Sequence, residues 1–367
     1  MNKLLLIVAG GFLGAGKTTA LISLAQALER TGKRSAVIMN DQGEQLVDTA
    51  LGRATQLPVA EVTGGCFCCR FDDLVSATVG LAERSDVDVV LAEAVGSCAD
   101  LTATVIRPLR GYFGERFQVA PLTVFVEPRR IRELRAPEHA GGLISYLFEM
   151  QLQDAQLLVL TKLDMLRPGE RAELLTELER GLPAAGVLGV SARTGEGMPA
   201  LLDRVLAGVD VQTGPGVVSI DYQTYADAEA ELAWFNAEVS VRATSTDSAR
   251  SADWLRTFTS DIAQRCAARD LWVGHVKAYL DAGTGESKAS VLRAGEAPSF
   301  DMQDMSPVVD ARLLVNARVR ARPPDLDCLV RASLARADDV HRTSCSIRSL
   351  RCFSPPPPRP THRLARP

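Results

Sequence analysis

The segment Gly11-Phe-Leu-Gly14-Ala15-Gly16-Lys17-Thr18-Thr19 follows directly on the apolar run Leu4-Leu-Leu-Ile-Val-Ala9. It matches G-x-x-x-x-G-K-[ST], the phosphate-binding loop, in the strand–turn–helix setting where that loop works. Glycines let the backbone curl tightly, so that successive N–H groups and the positive helix end face an anion. Lys17 is placed to reach β/γ-phosphates, and the Thr18 hydroxyl to hold Mg2+. Gly11, Gly14, Ala15, Gly16, Lys17, Thr18 and Thr19 are thus candidate nucleotide residues, Lys17 with a catalytic role as well.

Lys3 before an apolar run also has the look of a secretory leader. Only one positive charge precedes that run, however, and the run continues straight into Gly16-Lys17-Thr18. Ala20, Leu21, Leu24 and Leu28 then repeat at helical spacing, as on the face of a folded helix. No other segment approaches the ~18 consecutive apolar residues of a membrane span. The expectation is a soluble, cytoplasmic protein.

The 367 residues, 46% hydrophobic and 23% charged, are enough for two globular domains. A net charge of −4 does not point to nucleic acid. In a cytoplasmic chain the eight cysteines read as thiols or metal ligands rather than disulfides.

Up to about residue 208, continuously apolar runs alternate with helical segments, the pattern of a parallel α/β sheet buried on both faces. Strands are expected at 3–9, 35–40, 87–92, 121–126, 156–161 and 187–191. Helices are expected at 17–30, 72–84, 98–110, 141–154, 169–180 and 197–206. The Thr-Gly-Pro-Gly stretch at 213–216 reads as a linker. Beyond it, period-two alternation at 237–242, 273–280 and 313–320 surrounds an amphipathic helix marked by Trp254, Leu255, Phe258 and Ile262. That predicts a smaller α+β domain over 217–336 with an antiparallel sheet, on whose helix Cys266 is core. His275 in an alternating run reads as a satisfied core or edge residue. From Asp338 the chain is expected to lose order. Residues 341–367 hold six arginines, no acid and a run of prolines at 355–358.

Two later motifs address the base. Thr161-Lys162-Leu163-Asp164 and Ser191-Ala192-Arg193-Thr194-Gly195 each follow an expected strand. A carboxylate at Asp164 accepts the two donors of guanine, N1–H and the 2-amino group, which adenine lacks. Lys162 can lie along the base plane, and the Ala192 N–H can meet O6. This resembles the guanine motif Asn-Lys-x-Asp of GTPases, with Thr161 in place of asparagine.

Gly64-Gly65-Cys66-Phe67-Cys68-Cys69-Arg70 places three thiols within four residues, soft ligands suited to zinc or copper. Together with the phosphate loop and with Glu93-Ala-Val-Gly96 after a strand, it resembles the CobW-type GTPases, relatives of the urease and hydrogenase nickel-insertion GTPases. The resemblance covers residues 1 to about 208. It implies a P-loop GTPase domain that couples GTP binding and hydrolysis to delivery of zinc or cobalt to a client metalloprotein. The Asn40-Asp41-Gln42-Gly43-Glu44 segment falls on the family's first switch, usually Asn-Glu-Phe-Gly-Glu, with Asp41 in place of glutamate to approach Mg2+ or the transferred metal. Glu93 falls on the glutamate near Mg2+ and the attacking water, and Cys66, Cys68 and Cys69 on the metal-binding C-x-C-C. Two departures stand out. The chain lacks the histidine-rich segment common in the family. Its second switch also carries Cys98, where many members read Gly-Leu-Ala-Asp-Pro, which makes Cys98 a candidate fourth zinc ligand. A small core-facing cysteine is the equal alternative. A second copy of the chain is a further candidate partner, while nucleic acid and membrane are not expected. The competing reading is a GTP-dependent switch that remodels a cofactor enzyme, for example a corrinoid enzyme, with only structural zinc.

Overall fold

The computed structural model describes residues 3–43, 47–48, 57–182, 186–207, 217–245 and 249–365. The chain divides into two units: residues 1–42, 51–228 and 357–367 form the first, and 43–50 and 229–356 the second. The expected linker at 213–216 and Glu44 of the first switch lie outside the described residues.

The first unit is built on a parallel sheet. Its strands are β1 (Leu4–Gly11), β2 (Ser35–Asn40), β3 (Val59–Val62), β4 (Val89–Glu93), β5 (Phe117–Val119), β6 (Thr123–Val126), β7 (Leu157–Leu160) and β8 (Gly186–Gly189). The order is β3-β2-β4-β1-β6-β7-β8, with β5 also on β1. Around it run α1 (Lys17–Arg30), α2 (Phe71–Ser85), α3 (Arg107–Phe113), α4 (Pro128–Arg135), α5 (Leu143–Asp154), α6 (Pro168–Gly181) and α7 (Met198–Ala207), followed by α8 (Tyr222–Ala230). The central strands are buried along their length because helices cover both faces. One boundary departs from expectation. The helix expected from 98 begins only at Thr102, with one π-helical stretch, Thr102–Ile106, running into α3. Asp100 has a φ of +59°, which a helix cannot contain. Its carbonyl instead accepts from the Thr104 hydroxyl at 2.7 Å.

The second unit carries an antiparallel sheet of order β12-β11-β10-β13-β9-β14. Its strands are β9 (Leu232–Ala243), β10 (Val273–Asp281), β11 (Glu286–Val291), β12 (Ser299–Met302), β13 (Asp310–Arg320) and β14 (Thr343–Phe353). Helices α9 (Ser251–Ala267) and α10 (Pro323–His341) pack on it. Their core joins Trp254, Phe258, Ile262, Leu326 and Val330 to Phe235, Val239 and Val241 of β9. Residues 47–48 belong here too: the Val47 N–H donates to Asn316 at 2.8 Å, and Asp48 pairs with Lys277. Cys266 lies in this core, and His275 is buried in β10.

The expected loss of order from Asp338 is corrected by this sheet. α10 runs to His341, and β14 pairs antiparallel with β9 from Thr343 to Phe353. Cys345, Ile347, Leu350 and Cys352 pack against the core, with a register shift between Ile347 and Ser349. That irregularity breaks the period-two signal, and the intervening arginines mask the apolar face. The expected division at 217–336 also shifts, since residues 217–228 belong to the first unit and the second extends to 356.

Asp154, the last residue of α5, is fully buried, and its Oδ2 accepts from the Thr102 N–H at 3.1 Å. Burial pushes this carboxyl up to about 7, from an ordinary value of 3.8. A carboxyl raised on folding contributes stability below its unfolded value and loses it as pH rises through the folded one. Between pH 4 and pH 8 the protein should therefore lose stability through this group. Asp154→Asn, neutral at every pH, is expected to flatten that slope by a few kcal/mol, read from urea unfolding at pH 5 and pH 8.

Candidate nucleotide and metal site

The phosphate loop joins β1 to α1. At Gly11, φ is +125° and a Cβ would lie 2.2 Å from the Phe125 carbonyl oxygen, so only glycine lets β1 run against β6 here. The Ala15 N–H closes the loop onto the Phe12 carbonyl at 3.2 Å. Gly16, left-handed at φ 82°, caps α1. Buried Lys17 folds back over the loop, its ammonium donating to the carbonyls of Gly11 at 2.7 Å and Phe12 at 3.2 Å. Thr18 and Thr19 follow in the first turn of α1, where N–H groups have no helical acceptor.

Sheet register delivers the acid. β4 lies between β1 and β2, with Glu93 opposite both Ala9 and Met39. Its carboxylate therefore emerges beside the loop and accepts from the Thr18 hydroxyl at 3.1 Å, in a buried position. A hydroxyl and a carboxylate oxygen side by side suit a hard divalent cation such as Mg2+. The loop after Glu93 presses on the phosphate loop: a Cβ on Gly96 would sit 2.6 Å from Leu13. Gln151 of α5 holds this loop, donating to the carbonyls of Gly96 at 3.0 Å and Cys98 at 2.9 Å.

The two base motifs meet. Ser191 Oγ donates to Asp164 Oδ1 at 2.6 Å, and Ser191 Oγ accepts from the Thr194 N–H at 3.2 Å. Lys162, left-handed at φ 55°, places its Nζ 3.0 Å from the Gly14 carbonyl. Ala192 lies beside α1, where its carbonyl accepts from Ser23 Oγ at 3.5 Å. Thr161, the departure from asparagine, has its own task. Its hydroxyl donates to the Ala15 carbonyl at 2.8 Å, tying the base loop to the phosphate loop.

The cysteine loop leaves β3 at the same edge of the sheet. Sγ separations are 2.7 Å for Cys66–Cys68, 3.5 Å for Cys66–Cys69 and 3.8 Å for Cys68–Cys69. Cys98 Sγ stands 3.9 Å from Cys68 Sγ, and both are buried. Four sulfurs around zinc at about 2.3 Å form a tetrahedron with edges of about 3.8 Å. Of the six edges of such a tetrahedron, the Cys66–Cys69, Cys68–Cys69 and Cys68–Cys98 separations lie near that length, and the Cys66–Cys68 contact opens by about 1 Å to reach it. The donors that all lie within 4.8 Å of one another are those of Cys66, Cys68 and Cys69. Proton sharing with Cys66, reinforced by burial, pushes the Cys69 thiol up to about 11. Metal binding at neutral pH therefore releases protons from this loop.

Asn40 ties the loop to the first switch. Its Nδ2 donates to the carbonyls of Val62 and Gly65, each at 2.8 Å, and its Oδ1 accepts from the Phe67 N–H at 2.9 Å. The adjoining Asp41 N–H donates to the Val62 carbonyl at 3.2 Å. The predicted residues thus fall into a phosphate group (Gly11 to Thr19 with Glu93), a base group (Lys162, Asp164, Ser191, Ala192) and a thiol group (Cys66, Cys68, Cys69, Cys98). Asp41 adjoins the third through Val62. Sequence reasoning missed Asn40 as a clamp and Thr161 as a tether. It also missed β3, whose pairing of Asn40 with Val62 brings the switch to the thiols. Removing three hydrogen bonds with Asn40→Ala is expected to weaken zinc binding about tenfold in chelator competition, as loss of outer-shell support does elsewhere.

Residues 5–187 match the model of the CobW/HypB/UreG nucleotide-binding domain. The chain is 29% identical over 236 residues to the zinc chaperone CobW of Pseudomonas aeruginosa, covering 55% of this chain and 60% of that protein. It is 42% identical over 89 residues to the zinc chaperone YjiA of Escherichia coli, 23% of this chain and 27% of that one. The matches thus span less than two thirds of these relatives' own lengths. Among solved structures, the Zn(II)-bound YjiA GTPase from E. coli superposes with a TM-score of 0.37 at 15% identity, over 91% of this chain and 99% of that one. Through its nucleotide-binding domain the chain belongs to the CobW/HypB/UreG family.

Proposed function

We propose that the protein is a GTPase that carries a transition metal, zinc or cobalt, on its cysteine loop and passes it to a client metalloprotein. The observation that carries this reading is the Asn40 clamp: one side chain of the first switch holds both walls of the thiol loop. Its relatives' names, zinc chaperone and zinc-regulated GTPase metalloprotein activator, support the same reading.

Each residue has a role in that reading. The N–H groups of the phosphate loop and the Lys17 ammonium stabilise charge on the β/γ-phosphates. Thr18, Glu93 and Asp41 hold Mg2+, which when bound neutralises phosphate charge. Glu93, buried at the loop, orients the water that attacks the γ-phosphate. Asp164, oriented by the Ser191 hydroxyl, accepts from guanine N1–H and the 2-amino group, while the Ala192 N–H meets O6. Cys66, Cys68 and Cys69 bind the cargo metal, and Cys98 supplies the fourth sulfur.

The test combines GTP hydrolysis with zinc stoichiometry. Glu93→Gln is expected to keep GTP binding and lose about 100-fold in kcat, the size of a positioned acid–base group. The Cys66/Cys68/Cys69→Ser variant should bind no zinc, and Cys98→Ser should bind it about tenfold more weakly. Zinc bound normally by the triple variant, or GTP hydrolysed normally by Glu93→Gln, contradicts the assignment.

A further inference from the structure

The last described residues, 357–365, lie along the first unit and meet both the thiol loop and the end of the second switch. The Arg359 N–H donates to Cys69 Sγ at 3.1 Å, and the Thr361 N–H to the Cys68 carbonyl at 2.8 Å. The Thr361 hydroxyl adds a bond to the Cys69 carbonyl at 3.3 Å. The His362 ring stands edge-on to Phe71, with centroids 5.0 Å apart, and lies 5.2 Å from Tyr112. Arg363 reaches the fully buried Asp100 at 2.7 Å, where the Tyr222 hydroxyl also donates at 2.8 Å. The Leu364 N–H donates to the Ala103 carbonyl at 2.9 Å, and its own carbonyl accepts from Arg107 at 3.2 Å. An arginine- and proline-rich segment that buries no core of its own is thus fastened at five successive points.

Two of those points fall on the thiol loop itself. Cys66 and Cys68 are buried, whereas Cys69 is the partly exposed thiol of the three, and the strap lies against it. Asp100 closes the loop that begins at Glu93, so the Arg363 pair ties the strap to the segment that packs on the phosphate loop. We infer that residues 357–365 are a latch on the metal site: seated, they hold the Cys68–Cys69 loop and cover the Cys69 sulfur, and the metal leaves when they lift. In that exchange the metal–Cys69 sulfur bond breaks as an acceptor's ligand bonds the metal, and Cys69 takes a proton from water.

The inference rests on the metal reading above, and its test separates the two. The full chain, a chain ending at Pro356 and full-length Arg363→Glu are loaded with zinc, and its transfer to a chromogenic chelator is timed. Both altered chains are expected to bind the same amount of zinc and to release it about tenfold faster or more. Release at the unaltered rate from both overturns the latch. If the unaltered chain binds no zinc, the metal reading fails, and the latch is judged on metal-free protein by the rate at which an aromatic disulfide reagent labels Cys69, located by mass spectrometry. Faster labelling in both altered chains supports the latch as a cover, and equal labelling overturns it. The charge-reversed full-length chain keeps the test valid should the shortened one fail to fold.

Discussion

The placement of β4 between β1 and β2 is the constraint on which the site depends. With Glu93 opposite Ala9 on one side and Met39 on the other, three strand ends are level. The phosphate loop leaves β1, the first switch leaves β2 and the second switch leaves β4 from one edge of the sheet. Parallel sheets bind ligands at this edge because loops rather than helices emerge there. A slip of one residue would turn Glu93 to the other face, and its carboxylate would lose the Thr18 hydroxyl.

From that edge two polar side chains distribute the switches onto the thiols. Asn40 holds the cysteine loop from the first switch, and Gln151 holds the carbonyls of Gly96 and Cys98 in the second. Both are buried, so a partner lost without replacement leaves a polar group unsatisfied. Such networks favour discrete arrangements over graded ones, which is what a ligand-biased switch requires. In the proposed cycle the thiols and the γ-phosphate bias the same small set of loops.

Much of this was legible in the sequence, for identifiable reasons. The strand over 35–40 and the helix over 17–30 are marked by dense apolar runs and clear ends, and they appear within those bounds. The phosphate loop, the base motifs and the cysteine triplet depend on local spacing, which sequence records directly. What was not legible depends on partners far along the chain. β3 is four residues long with Glu61 in its middle, and it exists because β2 lies beside it. α4 has three arginines in its first five residues and is held by the Glu127 cap and by buried Ile131 and Leu134. The arginine-rich end looked solvated because its acceptors, Asp100 and the carbonyls of Cys68 and Ala103, lie hundreds of residues away.

The central claim is that nucleotide state and metal occupancy act on one element. Linkage requires that a nucleotide which alters metal affinity have its own affinity altered by the metal by the same factor. The direct measurement is a zinc titration of the protein loaded with a non-hydrolysable GTP analogue and, separately, with GDP. The account predicts different zinc affinities in the two states, by about fivefold or more. Equal affinities would contradict it and leave the cysteines as a structural site.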